Sequence, residues 1–301
     1  MERRTNRTPL RKPDSGAAEG LRTASGEALE EARRQIDDRD VTDATAVHEF
    51  RKGMKRWRAL LRLFEPVLGE EAAQLRVEAR DLARELAGSR DARSAGDGLE
   101  DLGEEQLPAR TRATLKTRLE ALGETAEAAT LTDELRERLR DALDQAADAA
   151  RRWPLDHVAF GTIADGLAAS YARTRNAVPQ EWTKATPDEL HELRQRVVVH
   201  RYQMDLVVPL WPKIGRAWVS EAQKLRDRLG HHQDLTVLKD FTAPHQPLAP
   251  WRSRLVPLIA ARQAEHAAGA ARVARRLFAE KPKAFRNRLL GLWDGRAARS
   301  G

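Results

Sequence analysis

Read at 3.6 residues per turn, the chain resolves into a succession of amphipathic segments. The clearest runs from Val47 to Phe64. Phe50, Met54, Trp57, Leu61 and Phe64 recur at steps of three and four on one side, as a core-packing face requires. The same period predicts helices over about 21–38, 42–64, 70–87, 109–122, 132–152, 162–177, 187–208, 213–229, 234–242, 251–280 and 283–293. Pro66 is expected to stop the second of these, and Gly88 to close the third at its C′ position. Residues 92–107 read as a loop with one short helix. Pro179–Pro187 and Pro244–Pro250 read as loops. Asp91 and Asp234 follow predicted helix ends and read as N-caps. There is no strand alternation, so the expected fold class is all-α.

The other side of the Val47–Phe64 segment changes the picture. His48, Arg51, Lys55, Arg58 and Arg62 line up there, and Phe50 to Leu63 hold six Arg or Lys and no carboxylate. Surface helices usually mix the two signs, because like charges one turn apart cost roughly 0.2–0.5 kcal/mol per pair. A stripe without that relief is either a solvated face or a site for an anion. Arg76, Arg80 and Arg84 add a second row at i, i+4, i+8 on the next helix. The whole chain of 301 residues carries a net charge of +7, modest for its length, so the placement of charge matters more than its sum. Ala, Arg, Leu and Glu dominate and only two Tyr are present, which favours helices. With no cysteine, disulfides, thiolate nucleophiles and cysteine-bound metals are excluded. No signal peptide and no membrane span is visible, and the expected location is the cytoplasm.

The Val47–Phe64 pattern returns. At an offset of 143 residues His48 aligns with His191, Glu49 with Glu192, Arg51 with Arg194 and Arg58 with Arg201. Pro66 aligns with Pro209, Glu78 with Glu221, Leu82 with Leu225, Leu86 with Leu229 and Asp91 with Asp234. Eleven of the 44 positions from 48 to 91 are identical, against roughly three expected from composition, so the chain reads as an internal duplication. The division expected is a disordered basic arm at 1–20, a first helical half at 21–152, a linker at 153–161, a second half at 162–295 and a tail at 296–301. The halves would be two similar bundles related by a pseudo-twofold axis. They differ in charge: Lys55, Arg62, Arg76, Arg80 and Arg84 are answered by Val198, Asp205, Val219, Gln223 and Asp227. The first half is therefore the stronger anion site.

His-x-x-Arg-Lys-x-x-Lys-Arg-x-Arg at 48–58, its second copy at 191–201, Leu-Gly-x-x-x-Asp at 229–234 and Gly-Leu-x-x-x-Tyr-x-x-x-Arg at 166–175 resemble the conserved histidine α-helical domain (CHAD) family over about residues 21–295. The resemblance implies two four-helix bundles facing each other across a central basic cavity, and binding of inorganic polyphosphate. It also implies an association with polyphosphate granules. The residues it and the basic rows select as polyphosphate ligands are His48, Arg51, Lys52, Lys55, Arg58, Arg62, Arg76, Arg80, Arg84, Arg90, Tyr171, Arg175, His191, Arg194, Arg201 and Lys224.

Rival readings are weaker on the same residues. His48-Glu49 and His191-Glu192 are not HExxH, since Lys52 and Gln195 take the second histidine position. His231 and His232 offer metal ligands, but neighbouring helical residues point apart, and no metal or other cofactor is expected. His200 aligns with Trp57 on the apolar face and reads as a core histidine. A metal-dependent phosphate-processing enzyme would need acids among its cations, and the first stripe has none. Nucleic-acid binding would place aromatics among the basic residues for base stacking, and the first stripe lacks these too. The expectation is a non-catalytic binder of inorganic polyphosphate, with nucleic acid the main alternative and no membrane partner.

Overall fold

The computed structural model describes residues 16–86, 90–125 and 131–297. Within them the backbone forms eleven α-helices and no strand. In order these are α1 (Ala17–Asp37), α2 (Asp43–Leu68), α3 (Glu70–Glu85), α4 (Arg90–Asp101), α5 (Ala109–Thr125), α6 (Asp133–Arg152), α7 (Phe160–Asn176), α8 (Pro187–Val207), α9 (Pro212–Asp240), α10 (Arg252–Leu277) and α11 (Pro282–Ala297). Local chemistry starts several of them. Thr42 and Thr132 cap α2 and α6 by accepting from the backbone N–H groups of Thr45 and Leu135. α8 opens on a full capping box, Thr186 with Glu189, and has Pro187 where a proline costs no hydrogen bond.

The predicted apolar stripe is the heart of the core. Phe50, Met54, Trp57, Leu61 and Phe64 are each 1% exposed or less. Trp57 stacks on Trp153 with ring centres 5.6 Å apart, and Phe64 leans on the same ring at 5.0 Å. Trp153 and Leu155, from the segment expected to link two halves, are thus core residues, and Trp153 Nε1 donates to Glu71 at 3.1 Å. Arg136 of α6, 3% exposed, closes the other end of this packing. It donates to the carbonyls of Leu131 and Ile36 and to the Asp43 carboxylate, so a buried guanidinium ties α1, α2 and α6 together.

Two apolar clusters hold the chain. The larger gathers α1, α2, α3, α6, α7, α8, the first part of α9, the end of α10 and α11. The smaller is made by α4, α5, the second part of α9 and the first part of α10. Close approaches tie helices together within each cluster. Gly98 of α4 lies against α9, where a Cβ would meet the Asp234 carbonyl at 2.8 Å. Gly166 of α7 approaches Leu63 of α2 as tightly, and Gln203 of α8 donates to the Ala59 carbonyl of α2 at 2.9 Å.

Several boundaries differ from those the sequence predicts. α2 runs through Pro66 to Leu68. The proline lies in the last turn, so it forfeits a single bond, to the Arg62 carbonyl, with little helix left to disrupt, and Gly69 ends the helix at φ +57°. The 92–107 loop is largely helix α4, because Gly98 serves close helix packing rather than a turn. The expected helices at 213–229 and 234–242 are one helix, α9, which carries Gly230 in its interior. Asp234 is therefore no N-cap. α1 begins at Ala17, inside the expected arm. Residues 1–15 of that arm and Gly88 lie outside the described residues.

Candidate functional site

A cleft of about 1860 Å³ opens between the two apolar clusters. One side is formed by α2, α3, α7, α8 and α9, the other by α4 and α5. Among its lining residues are fifteen Arg or Lys and six Asp or Glu, an excess larger than the +7 of the entire chain. The helical period explains the concentration. α2 and α8 each bury one face in the core, so the stripe opposite must face the gap.

Most of the residues selected from the sequence meet there. His48, Arg51, Lys52, Lys55, Arg58 and Arg62 of α2 line the cleft, with Arg80 and Arg84 of α3 and His191, Arg194 and Arg201 of α8. Lys52 pairs with Glu49 at 2.9 Å, and Arg80 pairs with its neighbour Asp81 at 2.8 Å. Arg58, Arg62 and Arg84 have no ion-pair partner among the described residues. Burial, followed by repulsion from Arg80, Arg76 and Arg84, lowers the pKa of Arg58 from the ordinary guanidinium value. Burial and then Arg76, Arg58 and Arg173 do the same to Arg62. Both stay cationic at neutral pH, so the first wall holds crowded positive charge that an anion would relieve. His48 is held below the usual histidine range by burial, partly opposed by Glu49, with Arg93, Lys55 and Lys52 lowering it further.

Four selected residues are placed elsewhere. Arg76 does not line the cleft but pairs with Glu65 at 3.2 Å, close enough for its charge to act on Arg58 and Arg62. Tyr171 is not at a rim: it is fully buried, stacks on Phe285 at 4.3 Å and donates to the Glu280 carbonyl at 3.0 Å. Burial pushes its phenol up to about 12. Arg175, one turn on, donates to the Phe278 carbonyl at 3.1 Å, so this face of α7 secures the α10–α11 corner. Lys224 points to solvent and pairs with Glu221 at 2.7 Å. Arg90 opens α4, and its side chain lies outside the described residues.

The cleft also contains cations that the sequence reading passed over: Arg93, Arg112, Lys116, Arg173, Arg196 and Arg226. Arg173 has a sequence signal, since it sits three residues after Ser170 on the side of α7 that faces the basic stripe. The residues of α4 and α5 have none, because only the tertiary packing of α4 on α9 turns them inward. On that opposite side acids accompany the cations. Lys116 lies 3.9 Å from Glu100, and Arg112 donates from its two terminal nitrogens to the Leu99 and Gly103 carbonyls.

His200 is a core histidine: 1% exposed, its Nε2 accepts from Trp218 Nε1 at 3.0 Å, and burial lowers it to about 3. His231 and His232 diverge as the helix requires. His231 stacks on His266 with ring centres 5.1 Å apart, near Asp101, while His232 is buried and lowered to about 4 by burial and then by His266. Among the described residues no group of three or more His, Cys, Asp or Glu is arranged to hold a metal ion. No helix there is long and apolar enough to cross a membrane.

An all-helical protein with a cation-lined cleft between two apolar clusters is the class that fold and site define. The family model described as the CHAD domain matches residues 23–243, from α1 through the end of α9. The chain belongs to the CHAD domain family. A crystal structure of the CHAD domain from the plant Ricinus communis aligns with a TM-score of 0.54 at 19% identity, covering 89% of this chain and 93% of that one. No curated protein gives a significant match.

Proposed function

We propose that the cleft binds inorganic polyphosphate without transforming it. The observation that carries this reading is the first wall: Arg58, Arg62 and Arg84 face the cleft without ion-pair partners among the described residues, and Arg58 and Arg62 are held below their ordinary pKa by burial and by repulsion from neighbouring arginines. Arginine offers planar, paired hydrogen bonds to phosphate oxygens. A shielded charge-assisted bond nets roughly 1.5–3 kcal/mol, so a few suffice for tight binding with no reactive group. Membership of the CHAD family supports the ligand class, since polyphosphate binding is that family's role.

The finer architecture belongs to the same proposal. Two helical halves, 21–152 and 162–295, stem from a duplication and face each other across the cleft. The helices repeat at nearly the sequence offset: α1, α2, α5 and α6 begin 143–149 residues before α7, α8, α10 and α11, while α3 and α4 are matched by the single helix α9. A cytoplasmic location beside polyphosphate granules fits this role.

The test is a binding titration of the purified chain with long-chain polyphosphate, RNA and DNA at one salt concentration. Polyphosphate should bind most tightly, with affinity falling steeply as salt rises. Equal or tighter binding of a nucleic acid would overturn the reading. Polyphosphate shortened by the protein in Mg²⁺, and left intact by a His48 or His191 variant, would overturn its passive character.

A further inference from the structure

Where the two apolar clusters meet, the packing turns polar. α9 and α10 both cross from one cluster to the other: Leu229 and Ala270 belong to the larger, Leu235 and Ile259 to the smaller. At the crossing stand His231, His232, Arg262 and His266, and Asp101 joins them from the end of α4. These residues do not line the cleft. The side chains of Asp101 and His266 are 8% and 2% exposed. His266 Nε2 lies 2.6 Å from Asp101 Oδ2, and Arg262 donates to both carboxylate oxygens, at 3.2 Å from Nε and 3.0 Å from a terminal nitrogen. The His231 ring stacks on His266, and Gln263 of α10 donates to Thr236 of α9 at 2.9 Å. The same end of α4 is also clasped by Arg112 of α5, a cleft residue that donates to the Leu99 and Gly103 carbonyls. One turn of helix thus connects a buried ionic layer to the lining of the cleft.

We propose that this layer is an acid-released latch: Asp101, Arg262 and His266 hold the α4–α5 side of the cleft against α9 and α10, and proton uptake by the layer lets that side come away. The groups that meet here are Asp101 of α4, His231 and His232 of α9, and Arg262 and His266 of α10, with Glu265 reached through Arg262 at 2.7 Å. Asp101 and Arg262 balance each other, so the layer is neutral when its histidines are. A neutral His266 donates from Nε2 to the carboxylate, and its Nδ1 is buried with no hydrogen-bond partner among the described residues. A second proton would place an N–H there with nothing to accept it, and a positive charge beside Arg262. Burial holds His266 below the usual histidine range; Asp101 opposes this, and the charges of Arg262 and His231 add to it. Burial and then His266 lower His232 to about 4. Burial works to raise the Asp101 pKa, but the bonds from Arg262 and His266 prevail and hold it below the ordinary carboxylate value, so it stays charged while the histidines titrate. Histidines lowered on folding stabilise the closed latch above about pH 6.5 and cease to do so as pH falls. The latch stands without the polyphosphate reading; only its effect on affinity rests on that reading.

Hydrogen exchange of the full chain without ligand, corrected for the intrinsic pH dependence of exchange, tests the latch. Between about pH 6 and pH 4.5, opening of α4 and α5 should grow about tenfold per pH unit for each proton taken up, while α2 and α8 stay protected. His266→Gln keeps an amide donor for Asp101 and takes up no proton, so its rise in opening from pH 7.5 to pH 5 should be about tenfold smaller. Should that variant fail to fold, Asp101→Asn leaves Arg262 without its counter-charge and should open α4 already at pH 7.5. In titrations with long-chain polyphosphate, the wild type should bind about fivefold more weakly than His266→Gln at pH 5 and equally at pH 7.5. Full protection of α4 down to pH 4.5, its loss only together with α2, a His266→Gln rise equal to that of the wild type, or an Asp101→Asn protein as closed as the wild type each overturns the latch. Equal affinities at pH 5 overturn its link to the cleft. Failure of the wild type to bind polyphosphate at any pH removes the proposed function and leaves the latch standing.

Discussion

Two stretches of the cleft lining, the α2–α3 wall and the α8–α9 wall, occupy equivalent places in the sequence repeat yet differ in how their charge is balanced. On the α2–α3 wall, Arg58, Arg62 and Arg84 project without ion-pair partners among the described residues. On the α8–α9 wall, Arg201 has Asp205 at 3.9 Å and leans on the Tyr202 ring at 4.2 Å, while Asp227 accepts from both Arg226 and Gln223 at 2.7 Å. Asp205 stands where the first copy has Arg62, and Asp227 where it has Arg84. The same helix geometry can therefore present either a repelling row of cations or a largely self-neutralised face. An anion gains most at the first wall, because there it replaces repulsion rather than competing with an existing partner.

The largest effect should come from reversing the first wall. Arg58→Glu with Arg62→Glu should weaken polyphosphate binding by at least about a thousandfold, read by calorimetry. Survival of near-normal affinity would mean that the wall is a solvated face. The core beneath it should be nearly as sensitive in stability. Trp57→Ala removes the ring stacked on Trp153 and should cost about 3–5 kcal/mol in chemical denaturation.

At the position equivalent to Trp57 the second copy has His200, and here the copies should part in acid. A histidine whose pKa is lowered on folding contributes stability above its unfolded value of about 6.5 and loses it as pH falls toward the folded value. His200, at about 3 in the folded protein, should therefore cost about 1.4 kcal/mol per pH unit below about 6.5. His200→Leu should flatten that decline in thermal melts while lowering stability at pH 7, since Trp218 Nε1 loses its acceptor. An unchanged slope would place the acid sensitivity elsewhere.

The second wall can also be made to resemble the first. Asp205→Arg should tighten polyphosphate binding about tenfold by freeing Arg201 and restoring the cation found in the first copy. No gain would mean that the second wall does not reach the ligand. The smallest effect concerns His48. Burial and its basic neighbours keep it neutral at pH 7, so a polyanion should raise its pKa and affinity should climb about threefold between pH 7.5 and 6. His48→Gln should lower that rise.

These contrasts show which parts of the molecule could be read from residue order. Periodicity located the core face of α2 and the stripe opposite, because one helix decides both. The repeat pointed to His191, Arg194 and Arg201, which line the cleft. What could not be read depends on contacts between helices distant in sequence. Arg93, Arg112 and Lys116 enter the cleft only because α4 packs on α9, an approach permitted by Gly98, whose sequence context suggested a loop. Tyr171 and Arg175 carry a motif at helical spacing, yet their partners are the Glu280 and Phe278 carbonyls, some hundred residues away. Gly230 looked like a helix end and instead makes room for Arg194. Glycines that allow close packing and glycines that break helices look alike until the neighbour is known.

The most direct test of the central claim compares matched pairs on the two walls. Arg51→Ala with Arg58→Ala, and Arg194→Ala with Arg201→Ala, remove the same residue types from equivalent positions. Circular dichroism first establishes that both variants keep their helices, and calorimetry with long-chain polyphosphate at two salt concentrations then gives affinity and salt dependence. The first pair should lose more affinity, by about tenfold, because Arg58 is crowded by Arg80, Arg76 and Arg84, whereas Arg201 already has Asp205 at 3.9 Å. Equal losses, or a larger loss from the second pair, would contradict the account.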